Sequence, residues 1–240
     1  MEYLDNLNPN QKEAVIHDNG PCLVIAGAGS GKTRVLTYRI AHLIKKGIDP
    51  YSILALTFTN KASKEMKDRI EKIVGTEARS LWMGTFHSIF ARILRTEGYK
   101  IGYPPNFVIY DTLDSKNLIK SIVKELNLDP KIYKENFIYN RISNAKNRLI
   151  SPVEYKNNPI LQEEDASSLR PMISEIYKRY SERCFKSQAM DFDDLLYNTN
   201  ILFADHIDIL NKYQQLFQHV LIDEFQDNSK MQWDNLKPII

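Results

Sequence analysis

Short apolar runs alternate along the chain with longer stretches of helical periodicity. Cys22-Leu23-Val24-Ile25-Ala26 and Ile53-Leu54-Ala55-Leu56 are each too short for a helix, and they lead into Gly31 to Ile44 and Lys61 to Val74 respectively. In the first of these stretches Val35, Leu36, Ile40, Leu43 and Ile44 share one face, and Gly47 and Pro50 end the pattern. A further run, His219-Val220-Leu221-Ile222, stops at Asp223 and has the length and apolarity of a central strand. Apolar strands alternating with amphipathic helices predict a buried parallel sheet with helices against it, an α/β fold. From Tyr110 the character changes. No strand-like run occurs before Ala189, and Pro130, Pro152, Pro159 and Pro171 punctuate a helical pattern. An apolar stripe of Leu113, Leu118, Ile119, Ile122, Val123 and Leu126 predicts that this segment builds its own core. The expected organisation is an α/β domain in two segments, residues 1–109 and 189–240, interrupted by an all-helical insertion over 110–188.

Composition narrows the picture. With 240 residues, 43% of them apolar, the chain can bury a substantial core. Its 32 basic and 30 acidic residues leave a net charge of +2, so there is no overall basic field and any nucleic-acid contact has to come from local patches. Cys22 and Cys184 are far apart and in no CxxC spacing, which argues against a zinc cluster or a disulfide framework and for a reduced setting. No apolar run approaches the ~18 residues of a membrane span, and the expectation is a soluble, cytoplasmic protein.

Chemistry concentrates in two places. Ala26-Gly27-Ala28-Gly29-Ser30-Gly31-Lys32-Thr33 lies between a predicted strand and a predicted helix, the setting of a phosphate-binding loop. Ala26 replaces the glycine of the strict pattern, and a small residue suffices there. Small residues let successive backbone N–H groups turn inward around an anion, and the helix start adds its partial positive charge. Lys32 is placed to reach the β- and γ-phosphates of ATP, and the Thr33 hydroxyl to ligate Mg²⁺. Asp223-Glu224 follows the last apolar strand directly, where ligands bind in open α/β sheets. Asp223 is the candidate Mg²⁺ ligand and Glu224 the candidate general base for the attacking water.

Taken with the loop, Asp223-Glu224-Phe225-Gln226-Asp227 resembles the UvrD/Rep/PcrA family of superfamily 1 DNA helicases, and the likeness covers nearly the whole chain. It implies a RecA-like ATPase sheet with a helical insertion subdomain, ATP and Mg²⁺ as ligands, and 3′ to 5′ movement on single-stranded DNA and at junctions with duplex. Leu7 to Ala14 is similar to the family's Q motif, which implies that Gln11 reads adenine; an amide can both donate to the base and accept from it. Arg34 stands where the family places an arginine beside the nucleotide. Thr57-Phe58-Thr59-Asn60 and Thr85-Phe86-His87 resemble its DNA-contacting motifs. Aromatics that stack on any base and small polar groups that bond phosphate give sequence-independent grip. By pattern alone Phe58 and Phe86 could equally be core residues. The resemblance also implies that Gln226 links the γ-phosphate to the DNA track. Asp191 to Leu196 resembles the motif that re-enters the ATPase domain, its acids reading as helix caps. Lys146 and Arg148, on a helix of the insertion, are candidates for phosphate contact.

Family members continue beyond the DEFQD run into a second RecA-like domain that supplies arginines to the γ-phosphate. The sequence is therefore expected to be the front portion of such a motor, with weak or absent turnover alone. Two other readings remain open: a helicase subunit of a helicase–nuclease complex, and a non-catalytic ssDNA-binding module with a relic ATP site. Intact Lys32, Asp223 and Glu224 weigh against the relic.

Overall fold

A computed structural model describes residues 2–18, 20–27 and 29–240; Ala28 of the glycine-rich loop lies outside them. In chain order the elements are α1 (Pro9–Ile16), α2 (Lys32–Lys45), β1 (Ile53–Thr57), α3 (Asn60–Val74), β2 (Trp82–Thr85), α4 (Phe86–Glu97) and β3 (Val108–Ile109). There follow α5 (Thr112–Glu125), α6 (Glu135–Asn147), α7 (Pro152–Asn157), α8 (Pro159–Ser167), α9 (Ile173–Lys186) and β4 (Ala189–Met190). The chain then runs through α10 (Phe192–Asp205), α11 (Ile207–Leu216), β5 (His219–Ile222) and α12 (Lys230–Leu236). It divides into two compact units, one of the described residues up to Ile89 with 211–228 and 238–240, the other of 90–210 with 229–237.

The first unit is built on a three-stranded sheet in the order β2-β1-β5. Both pairings are parallel, with Leu56 opposite Gly84 and Ile222, and Thr57 opposite Thr85. β1 is buried along its whole length, as the unbroken apolar run predicts for a central parallel strand. Ile53 and Ala55 join Ile40 and Leu43 of α2 and Met66 and Ile70 of α3 in one apolar cluster. Trp82 of β2 meets Tyr213 and Phe217 edge-on at 6.1 and 5.3 Å between ring centres. Each fully buried aliphatic side chain of β1 contributes about 1.5–3 kcal/mol of burial. The sheet therefore holds the ends of its strands as a rigid edge.

One expected strand is absent. Residues 21–27 adopt no regular structure, and Leu23 and Ile25 are 71% and 89% exposed. An apolar run becomes a strand only where a neighbour takes up its backbone N–H and C=O groups. Among the described residues the sheet ends at β5, which is itself only half-buried.

The second unit is helical except for a parallel pair of two-residue strands, β3 and β4, in which Val108 faces Ala189 and Ile109 faces Met190. These strands fall at the two ends of the segment that the sequence marks as an insertion. Between them Ile119, Ile122, Val123, Ile138, Ile142, Tyr177 and Tyr180 form a core, against which Leu118 and Leu126 pack. Leu113 departs from the expected stripe. It sits in the first turn of α5 and is 65% exposed, since the stripe reaches the core only one turn later. Lys146 also departs from expectation. It is 2% exposed, and its Nζ lies 2.7 Å from Asp191 Oδ2 and 2.6 Å from Asp194 Oδ1, so it binds carboxylates rather than phosphate. The Tyr180 hydroxyl donates to the same Asp191 oxygen at 2.7 Å. Asp191 caps α10, accepting from the Asp194 N–H while Asp194 accepts from the Asp191 N–H, as expected of acids at a helix start.

Candidate nucleotide site and strand-end surface

The loop between Ala26 and Thr33 is held by its own carbonyls. Ser30 donates through Oγ to Gly27 O at 2.7 Å, and Lys32 Nζ donates to Ala26 O at 3.1 Å and Gly27 O at 3.3 Å. An ammonium resting on two neutral carbonyls is available to a stronger acceptor, because bonds to anionic oxygen are roughly twice as strong. Gly31 caps α2 at φ 92°, a left-handed conformation open to glycine, and a Cβ there would stand 2.9 Å from Gln11 Nε2. The amide of Gln11 is in fact turned onto the loop, donating to Ser30 O at 3.0 Å, while its carbonyl oxygen accepts from Asn8 N at 3.2 Å. Asn8 returns the bond by accepting from the Gln11 N–H, a capping box that starts α1. Arg34 donates to Asn6 O at 2.8 Å and lies over the Tyr38 ring.

Beside the loop a cleft of about 210 Å³ is lined by Gln11, Ala14, Val24, Ile25, Lys32 and Val35 among others. This is below the roughly 300–1,000 Å³ of complete ligand pockets, so it is one wall of a site rather than an enclosure. Asn8, Ala14 and Val35 belong to this wall; the first two fall within the motif from Leu7 to Ala14 and Val35 on the apolar face of α2, but of these stretches only Gln11 was given a role at the nucleotide. Asn8 carried a usable signal, an Asn three residues ahead of a Gln at a helix start. The wall positions look like ordinary helix residues and carried none.

Asp223 continues the ladder of β5, its N–H donating to Leu56 O at 2.9 Å. Its Oδ2 accepts from Thr33 Oγ1 at 3.3 Å, which joins the start of α2 to the end of β5 across 190 residues of sequence. Burial pushes the Asp223 carboxyl above the usual carboxylate range, and the adjacent Glu224 charge adds to this, while the Thr33 bond and Lys32 pull the other way. A hydroxyl and a carboxylate side by side, in a pocket that disfavours the bare charge, suit a hard dication with oxygen ligands. Among the described residues no group of three or more His, Cys, Asp or Glu could hold a metal ion. Glu224 follows at φ 49°, ψ 49°, and its Oε2 accepts from Gln226 Nε2 at 2.6 Å.

The ends of the other two strands lie in register with this one. Thr57 is buried and donates to Thr59 O, and Thr59 caps α3 by accepting from Ala62 N. Thr85 Oγ1 accepts from Ser88 N at 3.3 Å and approaches Asn60 Oδ1 at 3.5 Å, linking the loops that follow β1 and β2. The two phenylalanines separate: Phe58 is 62% exposed, whereas Phe86 is buried at 4%. His87 is half-buried in the first turn of α4. No helix of the described residues is long and apolar enough to cross a membrane.

A parallel sheet carrying a glycine-rich loop and an acidic strand end defines a nucleotide-binding class of α/β protein. Over residues 7–240 the sequence matches the family described as the UvrD/REP helicase N-terminal domain, and the chain belongs to that family. It is 43% identical over 235 residues to the ATP-dependent DNA helicase PcrA of Staphylococcus aureus, covering 98% of this chain and 31% of the relative. It is 45% identical over 233 residues to the protein of the same name from Staphylococcus epidermidis, covering 97% of this chain and again 31% of the relative. The chain thus spans about a third of the length of the curated relatives it matches.

Proposed function

We propose that this chain is the ATP-binding portion of an ATP-dependent DNA helicase that moves 3′ to 5′ on single-stranded DNA and acts at its junctions with duplex. The observation that carries the reading is the bond from Thr33 to Asp223, which brings the end of the glycine-rich loop against the acidic strand end. Lys32 exchanges its two carbonyl partners for β- and γ-phosphate oxygens, and the N–H groups of the loop and the start of α2 hold the remaining charge. Gln11, already at the mouth of the cleft, supplies donor and acceptor to adenine, and Arg34 stands beside the nucleotide. Thr33 and Asp223 would hold Mg²⁺, which supplies charge neutralisation on the phosphates when bound. Glu224 takes the proton of the attacking water while the water oxygen bonds to the γ-phosphorus. The bond to the bridging oxygen breaks, and ADP and inorganic phosphate leave.

Phe58, Thr59, Asn60, Thr85 and His87 lie at the same edge of the sheet, and we assign DNA contact to this surface; Thr57 and Phe86, expected there, are buried and support it from beneath. Phe58 is presented for stacking, at about 1–3 kcal/mol per base for such contacts. A second RecA-like domain completes the site, its arginines adding about 10³–10⁵ in rate as such fingers do elsewhere. Two variants test the site. Lys32→Ala should weaken ATP binding about 10- to 100-fold, the loss expected for a charge-assisted contact. Glu224→Gln should retain binding and lose about 10²–10⁴ in turnover, because an amide accepts no proton. Unchanged affinity in the first, or retained hydrolysis in the second, contradicts the assignments.

A further inference from the structure

The helical unit carries an exposed apolar patch built around an arginine. α8 ends in a turn in which Leu169 N donates to Ala166 O at 2.9 Å and Arg170 N to Asp165 O at 2.8 Å. Such a turn needs a residue in the left-handed conformation, usually a glycine. Here it is Leu169 at φ 60°, and the residue is 74% exposed, so no burial of its side chain offsets the strain of a Cβ in that conformation.

The next residue is fixed in place by neutral groups. Arg170 donates through Nε to Ile132 O at 2.7 Å and through Nη1 to Ser168 O at 2.9 Å, and its guanidinium lies 4.2 Å from the centre of the Phe137 ring. Arg141, in the same helical unit, is paired with Glu164 at 2.7 Å and Asp165 at 3.0 Å. Arg170 has no carboxylate within ion-pair distance among the described residues, and the rest of its guanidinium fork is left for an incoming acceptor. Ile132 and Phe137 are exposed around it, as are Lys131 and Lys134. Large apolar side chains in the open around a pre-set arginine have the make-up of the centre of a protein interface.

Charge selects the partner. Three cations surround the apolar side chains, and a carboxylate fits the guanidinium fork with two parallel bonds. Nucleic acid fits less well, because Arg170 covers a face of the Phe137 ring on which a base would stack, and Ile132 and Leu169 offer nothing to a phosphate. We propose that Ile132, Phe137, Leu169 and Arg170, with Lys131 and Lys134 at the rim, dock a partner protein through a segment that places an acidic residue beside a large apolar one. The carboxylate takes the open side of Arg170, and the apolar side chain is buried against Leu169 and Ile132. The surface lies wholly in the second unit and draws on no residue of the nucleotide site.

The test selects peptides from a random phage-displayed dodecapeptide library on this 240-residue chain. The selected peptides, labelled with fluorescein, are then titrated against wild type, Arg170→Gln and Leu169→Gly, with a short DNA duplex as a second probe and the unfolding midpoint recorded for each protein. The expected peptides carry Asp or Glu next to Leu, Ile or Phe, and Arg170→Gln lowers their affinity about tenfold or more. Leu169→Gly relieves the backbone strain while removing the apolar contact, so its midpoint rises while peptide affinity falls about fivefold. A role in folding alone would not move the two in opposite directions. Selection that yields no such peptides, or peptides that bind both variants as tightly as wild type, overturns the proposal. Duplex binding that falls in the variants while peptide binding does not makes the surface a nucleic-acid contact and overturns it as well.

Discussion

At the scale of single residues, the site is made by side chains whose partners are set by backbone geometry. Gly84 shows how tightly. Its φ is ordinary, yet a Cβ at this position would stand 2.3 Å from Ser88 Oγ and 3.4 Å from Ile89 Cδ1. The absence of a side chain lets α4 begin directly after β2, and Ser88 Oγ uses the space to donate to Thr85 O at 2.9 Å. Gly84→Ala should cost about 1 kcal/mol or more by overpacking, and Ser88→Ala in the same chain should recover much of the loss, since it removes the clashing oxygen. Chemical denaturation of the two single variants and the double variant checks this, and simple additivity of the two losses would contradict the contact. Lys32, Thr33, Asp223 and Glu224 were legible as candidate site residues from type and spacing alone. The turn of Gln226 onto Glu224 was not, because no sequence pattern encodes which of several acceptors an amide selects.

Among the elements, what could be read depended on whether the partner was near in sequence. The helix starts were readable: Asn8 with Gln11 and Asp191 with Asp194 are local capping boxes, and both are formed. Lys146 was not readable, because a lysine on an amphipathic helix looks solvated and its carboxylate partners lie 45 or more residues away. Cys22 to Ala26 was misread for a related reason, as an apolar run states a demand for neighbours without supplying them. The Lys146 cluster also has a consequence for α6 and α10. One buried cation faces the two carboxylates of Asp191 and Asp194, and burial together with the Asp191 charge pushes Asp194 up to about 7, against the pull of Lys146. The folded protein therefore keeps a proton that the unfolded chain releases near pH 4. Such a group stabilises most at low pH, and its contribution is lost as pH rises through about 7. The stability of wild type to thermal unfolding should fall between about pH 4 and 7 more steeply than that of Asp194→Asn, by a few kcal/mol at most, and run parallel to it above that. Curves parallel over the whole range would place the proton elsewhere.

For the whole molecule, the two compact units assign chemistry and bulk to different parts of the chain. The parallel sheet of the first gathers the loop, the acidic turn and the strand-end surface at one edge, as α/β proteins do. The second devotes its core to helix packing around Tyr177, Tyr180 and the buried lysine. The α/β class and the helical segment were legible from the alternation of short and long periods. The small extent of the sheet was not, since it depends on which edges find partners. The cleft of about 210 Å³ beside the loop is the place where the proposed function puts the nucleotide. The most direct test is to measure ATP binding and hydrolysis by this 240-residue chain side by side, with and without single-stranded DNA. The account predicts Mg²⁺-dependent binding of ATP that Lys32→Ala weakens about 10- to 100-fold, with turnover far below that of a complete motor. A chain that binds no ATP, or that hydrolyses it at full speed with no second domain present, contradicts the account.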